Sequence, residues 1–506
     1  MKAIYLLVFS VLSISISQAQ QISDGLRYSL ERNLGSARFT ALSGAMGALG
    51  GDFSAMGNNP AGGAVFMRSN ITISTSLLDI SNTSSYFNHS EKSFSNDINL
   101  NQIGGVFVFD NPNEDSSFKK FTLGLNYDMS RSLENEIYVA GRGNNTIGNF
   151  FLEQAQGIPL NLLELESGES ISDLYGYLGE TMGSYAQNAL LGYQGYLFDA
   201  VDPSSSSNST YLSNVRGNSF DQEYLYRSRG YNSKFTINLA TQVTNDFYFG
   251  MNLNTHAINF DRSTYFIETN NNPGSMITAI GFENNLSVNG TGVSAQFGAI
   301  GKLANNFRFG LNWDTPTWFR ISEVTSQYLE SRRLVNDRNT TTIVDPRVIN
   351  VYEDYDIKAP GKLGASAAYV FDQNGLISFD YSYKDYSNMK FKPTSDSHFR
   401  DLNWAIENSL KGASTFKAGG EYRIDQLSLR GGFHYEESPY KNNKTVGDLT
   451  GFSLGTGYNF GDWNIDFAYS RSEQDREMQL YSVGFTDKAM VNTVYSNFIL
   501  SMAFNF

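Results

Sequence analysis

The 506-residue chain has no cysteine, so neither a disulfide framework nor a thiolate zinc site can hold it together. Its four histidines, His89, His256, His398 and His434, are scattered with no two at metal-ligand spacing, and no metal or cofactor is expected. Positive charge is in deficit: the formal net charge is −14, which argues against a nucleic-acid-binding surface. Beyond the first residues there is no apolar run of the ~18 residues that a transmembrane helix needs. Catalytic signatures lack their context as well. Gly451 to Gly455 spells the G-x-S-x-G of a nucleophile elbow, but inside an alternating strand rather than at a strand-to-helix turn. Gly44, Gly47 and Gly50 lack the flanking strand and helix of a dinucleotide fold. The chain is not expected to be an enzyme.

What is present begins with MKAIYLLVFSVLSISISQAQ. Lys2 supplies a positive start, Ile4 to Ile16 an apolar run too short to span a bilayer comfortably, and Ser17-Gln18-Ala19 a small-residue cleavage site. Residues 1–19 therefore read as a secretory signal peptide. Exported and free of disulfides, the mature chain must rely on core, size or closure.

The rest of the sequence alternates. At the C-terminal end Phe498, Leu500, Met502, Phe504 and Phe506 fall on one face, and mostly small or polar residues on the other. The same period of two recurs at Phe121 to Met129, Phe235 to Val243, Phe307 to Trp313, Ile377 to Tyr383 and Leu427 to Tyr435. Candidate strands lie near 70–80, 98–109, 120–130, 232–244, 246–258, 290–303, 306–320, 361–372, 375–387, 414–425, 427–437, 449–460, 462–473 and 492–506. That is about fourteen, each close to the ~9–11 residues of a tilted membrane-crossing strand. Six short turns, near 110–119, Asn245-Asp246, Asn305-Asn306, 373–375, Asp425-Gln426 and Gly461-Asp462, alternate with seven longer connections. Such alternation is the pattern of brief periplasmic turns and long extracellular loops in an outer-membrane β-barrel. A mean hydropathy of −0.33 is compatible with that architecture, because barrel strands place polar residues at every second position. Even strand number places both termini in the periplasm.

The expected fold is an all-β transmembrane antiparallel barrel over residues 70–506, of about 14 strands, with a long, partly helical extracellular loop at 131–231. In that loop Leu160, Leu163, Leu174, Tyr177, Leu178, Met182, Leu190 and Leu191 form apolar stripes, expected to pack against one another as a lid. A barrel of this size is wider than side chains alone can fill. Residues 20–69 are expected to plug it as an N-terminal hatch, since GALGGDFSAMGNNPAGGAVF (Gly47 to Phe66) is rich in small residues that allow tight turns and close approach to a wall. Inward polar residues such as His256, Arg308, Asp380, Lys384, Arg430, His434 and Asp466 suit a lumen that grips such a plug. In the second strand Ile98 and Leu100 are even but Ile103, Phe107 and Phe109 odd, so a distortion is expected at Gly104-Gly105.

The run SARFTALSGAMGALGGDFSAMGNNPAGGAVF (Ser36 to Phe66) resembles the hatch of FadL-type outer-membrane transporters of long-chain fatty acids and aromatic hydrocarbons, and Asn59-Pro60-Ala61 matches that family's Asn-Pro-Ala motif. The resemblance continues in Asn289 to Phe319, Phe416 to Asn442 and Gly451 to Ser470. It implies a 14-stranded barrel in the Gram-negative outer membrane that takes up hydrophobic small molecules passively. Ligand would be captured among extracellular loops, passed to the hatch, and released sideways at a kinked strand. Phe39, Phe53 and Met56, apolar among glycines, are candidate ligand contacts. The expected partners are a hydrophobic molecule such as a fatty acid and the lipid of the outer membrane, with the barrel a monomer. A second function open to the same fold is a docking platform for secreted or surface proteins.

Overall fold

The computed structural model describes residues 21–506 apart from positions 114, 304, 305 and 337; the expected signal peptide lies outside the described residues. Fourteen antiparallel strands close into one barrel. The first three are β1 (Asn70–Tyr86), β2 (His89–Asp110) and β3 (Phe118–Ser132). After the long loop come β4 (Phe220–Val243), β5 (Phe247–Thr269) and β6 (Ile277–Leu303). β7 runs Phe307–Asp314 and resumes as Thr317–Val335 after Pro316; β8 runs Tyr355–Ala359 and resumes as Lys362–Phe371 after Pro360-Gly361. The last six are β9 (Gly375–Asp385), β10 (Gly412–Ile424), β11 (Leu427–Glu436), β12 (Leu449–Asn459), β13 (Trp463–Gln479) and β14 (Lys488–Asn505). β1 pairs with β14 from Asn70↔Asn505 to Ser85↔Met490, which closes the sheet and leaves no edge.

All fourteen candidate strands are present, and several run further towards the loop side than the alternation predicts. The clearest difference is at 81–97, expected as a loop. β1 and β2 stay paired out to Tyr86↔His89, and Phe87-Asn88, both at positive φ, make the two-residue turn. Polar alternation continues above the membrane on both faces, and hydropathy gives no sign that the ladder persists. Within the membrane the outward face is apolar: Ile71, Phe121, Phe249, Leu311, Phe379 and Phe504 are all exposed. The inward neighbours Thr72, Thr122, Asn252, Ser378, Ser453 and Ser501 are buried and polar.

The residues before β1 fold inside the barrel as α1 (Ile22–Ser29), α2 (Ala37–Ala41), α3 (Phe53–Asn58) and a 3₁₀ turn, Pro60–Val65. They are too short to be stable alone and are held by caps. Ser36 Oγ accepts from Phe39 N, Asp52 from Ser54 N and Ala55 N, and Asn59 Oδ1 from Ala61 N. Gly50, at φ +63°, lies so close to Gly62 that a Cβ would meet its Cα at 2.7 Å.

The loop between β3 and β4 opens with a strand, Asn135–Gly143, paired to β4, and then carries α4 (Gly148–Ala155), α5 (Ile171–Thr181) and α6 (Ser184–Gln194). Leu160, Leu163, Leu174, Leu178, Leu190 and Leu191 are buried in one apolar cluster, so the stripes pack against each other as a cap; Tyr177 is exposed. The cap is tied to the barrel by Glu268 at the top of β5, which accepts from Thr146 Oγ1, Ile147 N (3.0 Å) and Gln222 Nε2 (2.9 Å). A last helix, α7 (Ser397–Ser409), lies between β9 and β10 and packs towards α1.

Candidate functional site

Barrel closure brings two very different regions into one lumen. In the lower half, inward polar side chains of the wall bond to the backbone of the hatch. Asp380 accepts from Gly47 N (2.8 Å) and Asn58 Nδ2 (2.9 Å), and Arg308 donates to Leu49 O (3.1 Å). Asn238, Asn252 and Gln296 donate to the carbonyls of Pro60, Met56 and Gly57, and Ser501 Oγ accepts from Ala37 N. Asn59 is the hub. Its Nδ2 donates to Gly47 O at 2.7 Å and reaches the wall carbonyls of Ala299 (3.2 Å) and Leu311 (3.4 Å), while its Oδ1 caps the 3₁₀ turn. Pro60 supplies the first residue of that turn without needing an amide hydrogen. Ala61 is fully buried against Ala240, Tyr248 and Ile300. The wall makes room with glycine: a Cβ at Gly298 would collide with Asn59 Oδ1, and one at Gly250 with the Pro60 carbonyl.

Ser453, the serine of the G-x-S-x-G spelling, points inward, donates to Ala41 O (2.9 Å) and accepts from Ser43 N (3.1 Å). It is one of the wall's grips on the hatch. Among the described residues no three metal-ligating side chains are grouped to hold an ion.

Above the hatch lies a chamber of about 890 Å³, within the size range of pockets that hold small molecules. Leu26, Leu30, Leu78, Phe150, Phe260 and Phe282 give it apolar walls; Phe150 belongs to the cap, and Thr40 and Ser43 of the hatch form part of the floor. Its roof is aromatic, with the Phe150 ring 4.9 Å from that of Tyr481 and 6.1 Å from that of Phe282. On one side Arg32, Arg131 and Arg476 converge on Tyr495, the Arg32 guanidinium 4.0 Å from the ring centroid.

Next to this cluster the hydrogen-bond ladder of the wall opens. β2 and β3 are paired only from Asp110↔Lys120 to Gln102↔Asp128. Beyond that rung β2 follows β1 alone, and β3 continues with β4 into the strand Asn135–Gly143. β2 is held there through side chains instead: Ser132 Oγ of β3 donates to Asp97 Oδ2 (3.3 Å), and Ser93 Oγ donates to Glu136 O (2.8 Å) and accepts from Tyr138 N (3.2 Å) of the strand Asn135–Gly143. The chain between α1 and α2 lies behind the opening. Arg32 N donates to Ser130 O (3.0 Å), and Asn101 Nδ2 to Gly35 O (3.4 Å).

The parity switch in β2 coincides with this edge. The β1–β2 register shifts between Ser74↔Gln102 and Thr75↔Leu100, leaving Asn101 as the extra residue, with Asn101 and Gln102 both buried. The distortion thus sits three residues before Gly104-Gly105. Asn101 has its own reason to turn inward, since it accepts from Ser76 Oγ and donates to Gly35 O. Gly104 clears space for the hatch: a Cβ there would meet Phe53 Cδ1 at 2.9 Å. Gly105 is in open van der Waals contact with Ile71.

The three apolar hatch residues do not border the chamber. Phe53 meets Phe66 in a tilted ring contact at 5.2 Å and packs with Met56 and Val106 against the wall. Phe39 joins Leu42, Met46 and Leu49 in a second cluster. The residues that do border it, such as Arg32, Arg131 and Arg476, are far apart in sequence, and only the parity of their strands marks the latter two as inward-facing.

The family model described as outer membrane protein transport protein (OMPP1/FadL/TodX) matches residues 208–505. No curated protein matches the chain in sequence. A FadL homologue of Pseudomonas aeruginosa shares the fold with a TM-score of 0.54 at 13% identity, over 94% of this chain and 100% of that one. The toluene transporter TodX of Pseudomonas putida does so with a TM-score of 0.52 at 14% identity, over 96% and 100%. The chain belongs to this family of outer-membrane transport proteins.

Proposed function

We propose that this member of the outer membrane protein transport family takes up hydrophobic small molecules by holding them in the chamber above the hatch and releasing them sideways between β2 and β3. The observation that carries the reading is the loss of the β2–β3 ladder beyond Gln102↔Asp128, at the level where the chamber is lined by Ser132, Leu133 and Glu134 of the adjoining wall. An apolar molecule gains nothing by moving down into the polar, hydrogen-bonded floor; it gains by moving sideways into lipid. The short turns and Phe506 face the periplasm in this reading, and the cap and long hairpins face outward. Residues 20–69 act as a permanent floor, with Asn59-Pro60-Ala61 as its anchor, and the barrel works as a monomer. Long-chain fatty acids and aromatic hydrocarbons are the substrate classes that the family resemblance brings to the chamber, and toluene, the cargo of the Pseudomonas putida transporter, belongs to the second.

The absence of native cysteine allows a direct test. Asp97→Cys with Ser132→Cys, already in side-chain contact across the rim, should form a disulfide that clamps the opening. Uptake of a hydrophobic tracer should fall to the level of cells without the barrel when oxidised and return on reduction. Undiminished uptake in the oxidised, correctly assembled barrel would remove the sideways route.

A further inference from the structure

The chamber carries a charge that a purely apolar cargo leaves unexplained. The chain as a whole is acidic, at −14, yet Arg32, Arg131 and Arg476 face the chamber together, and among the described residues none of the three makes an ion pair. Arg32 Nη1 and Arg476 Nε and Nη2 are buried without a hydrogen-bond partner, and so are both amide atoms of Asn497 on the same wall. Arg131 reaches only the carbonyl of Arg27, at 3.5 Å, and Arg27 itself is matched by Asp24 at 2.7 Å. Of the nearby carboxylates, Glu477 pairs with Lys488 (3.2 Å) and Glu31 with Lys362 (3.1 Å), while Glu436 lies in electrostatic reach of Arg32 and of Lys417 but forms an ion pair with neither. Buried guanidinium groups without counter-charge are costly to hold, and their planar forks match carboxylate and phosphate oxygens.

We infer that this cluster is a head-group site for an amphiphile bearing more than one negative charge, of the alkyl phosphate monoester class, with its alkyl chain against Leu26, Leu30, Leu78 and Phe260. A single carboxylate would leave two of the three guanidiniums uncompensated; a phosphate dianion offers three acceptor oxygens and two charges. The inference rests on the reading of the chamber as the ligand site, and adds to it what the head must be.

The test uses the full-length barrel in a non-ionic detergent at pH 8, titrated with hexadecyl phosphate, hexadecanoate and hexadecan-1-ol. Hexadecyl phosphate should bind about tenfold or more tighter than the acid, and the alcohol more weakly still. Arg476→Gln and Arg131→Gln should each weaken the phosphate by about tenfold and leave the alcohol unchanged, a comparison that separates loss of the site from loss of fold. Equal affinity for all three would overturn the head-group site while leaving the chamber as a hydrophobic site. Equal affinity for acid and phosphate would overturn the claim of multiple charge. Binding of none of the three would overturn the chamber reading on which the inference depends.

Discussion

The two halves of this lumen are built by the same fourteen strands, yet their inward polar side chains face different surroundings. Below, wall asparagines, Gln296, Asp380 and Arg308 meet hatch amides and carbonyls at hydrogen-bond distance, and glycines such as Gly250 and Gly298 bring the surfaces together. Above, Arg32, Arg476 and Asn497 keep buried atoms without partners around open space bounded by leucines and phenylalanines. Single atoms stay unpartnered in both halves, Asn238 Oδ1, Arg308 Nε and Asp380 Oδ1 among them below, so the contrast lies in what the wall faces: hatch backbone that it grips below, and the chamber above.

Several changes would break or sharpen this contrast. The largest effect belongs to deletion of residues 37–66. The barrel should still assemble, because its strands close on each other without the hatch, and small hydrophilic solutes should leak through, as liposome-swelling rates would show; wild-type permeability in an assembled deletion would remove the hatch from the seal. Next is Gly298→Val, whose side chain would occupy the position of Asn59 Oδ1. It should release the hatch from the wall and raise single-channel conductance in planar bilayers. Phe53→Ala, which empties a buried contact with Phe66 and Val106, should cost the hatch about 3–5 kcal/mol, read as faster hydrogen exchange at residues 53–66. It should leave ligand affinity unchanged, since Phe53 does not border the chamber. Asn59→Ala removes the hub, and at about 1–3 kcal/mol for its unsatisfied partners should give a smaller rise in exchange over the same segment.

The contrast was unequally legible in the sequence. Strand number was legible, because a period of two and the spacing of the connections report it directly; strand length was not, since β1 and β2 stay paired through 81–97, where a long loop was expected. The hatch was legible from glycine content and from Asn-Pro-Ala, whose asparagine proves to bond within the hatch and to the wall. The edge of the opening was half legible. A parity change between Leu100 and Ile103 requires an extra residue, but parity cannot say which one, and the glycine pair drew attention from Asn101. The arginine cluster was not legible. Arg32, Arg131 and Arg476 are separated by 99 and 345 residues in the chain, and only closure of β1 on β14 brings β13 and β14 round to face the start of the hatch. Apolar character among glycines points to Phe39, Phe53 and Met56, which pack within the floor and do not border the chamber.

The most direct test of the central claim is a crystal structure of the wild-type barrel soaked with a terminally brominated long-chain alkane, in which the anomalous bromine signal locates the cargo without bias. Bromine in the chamber above Thr40 and Ser43, or in the opening between Asp97 and Ser132, is the predicted result. Bromine within the hatch, below Asn59, would contradict it and place the path through the floor.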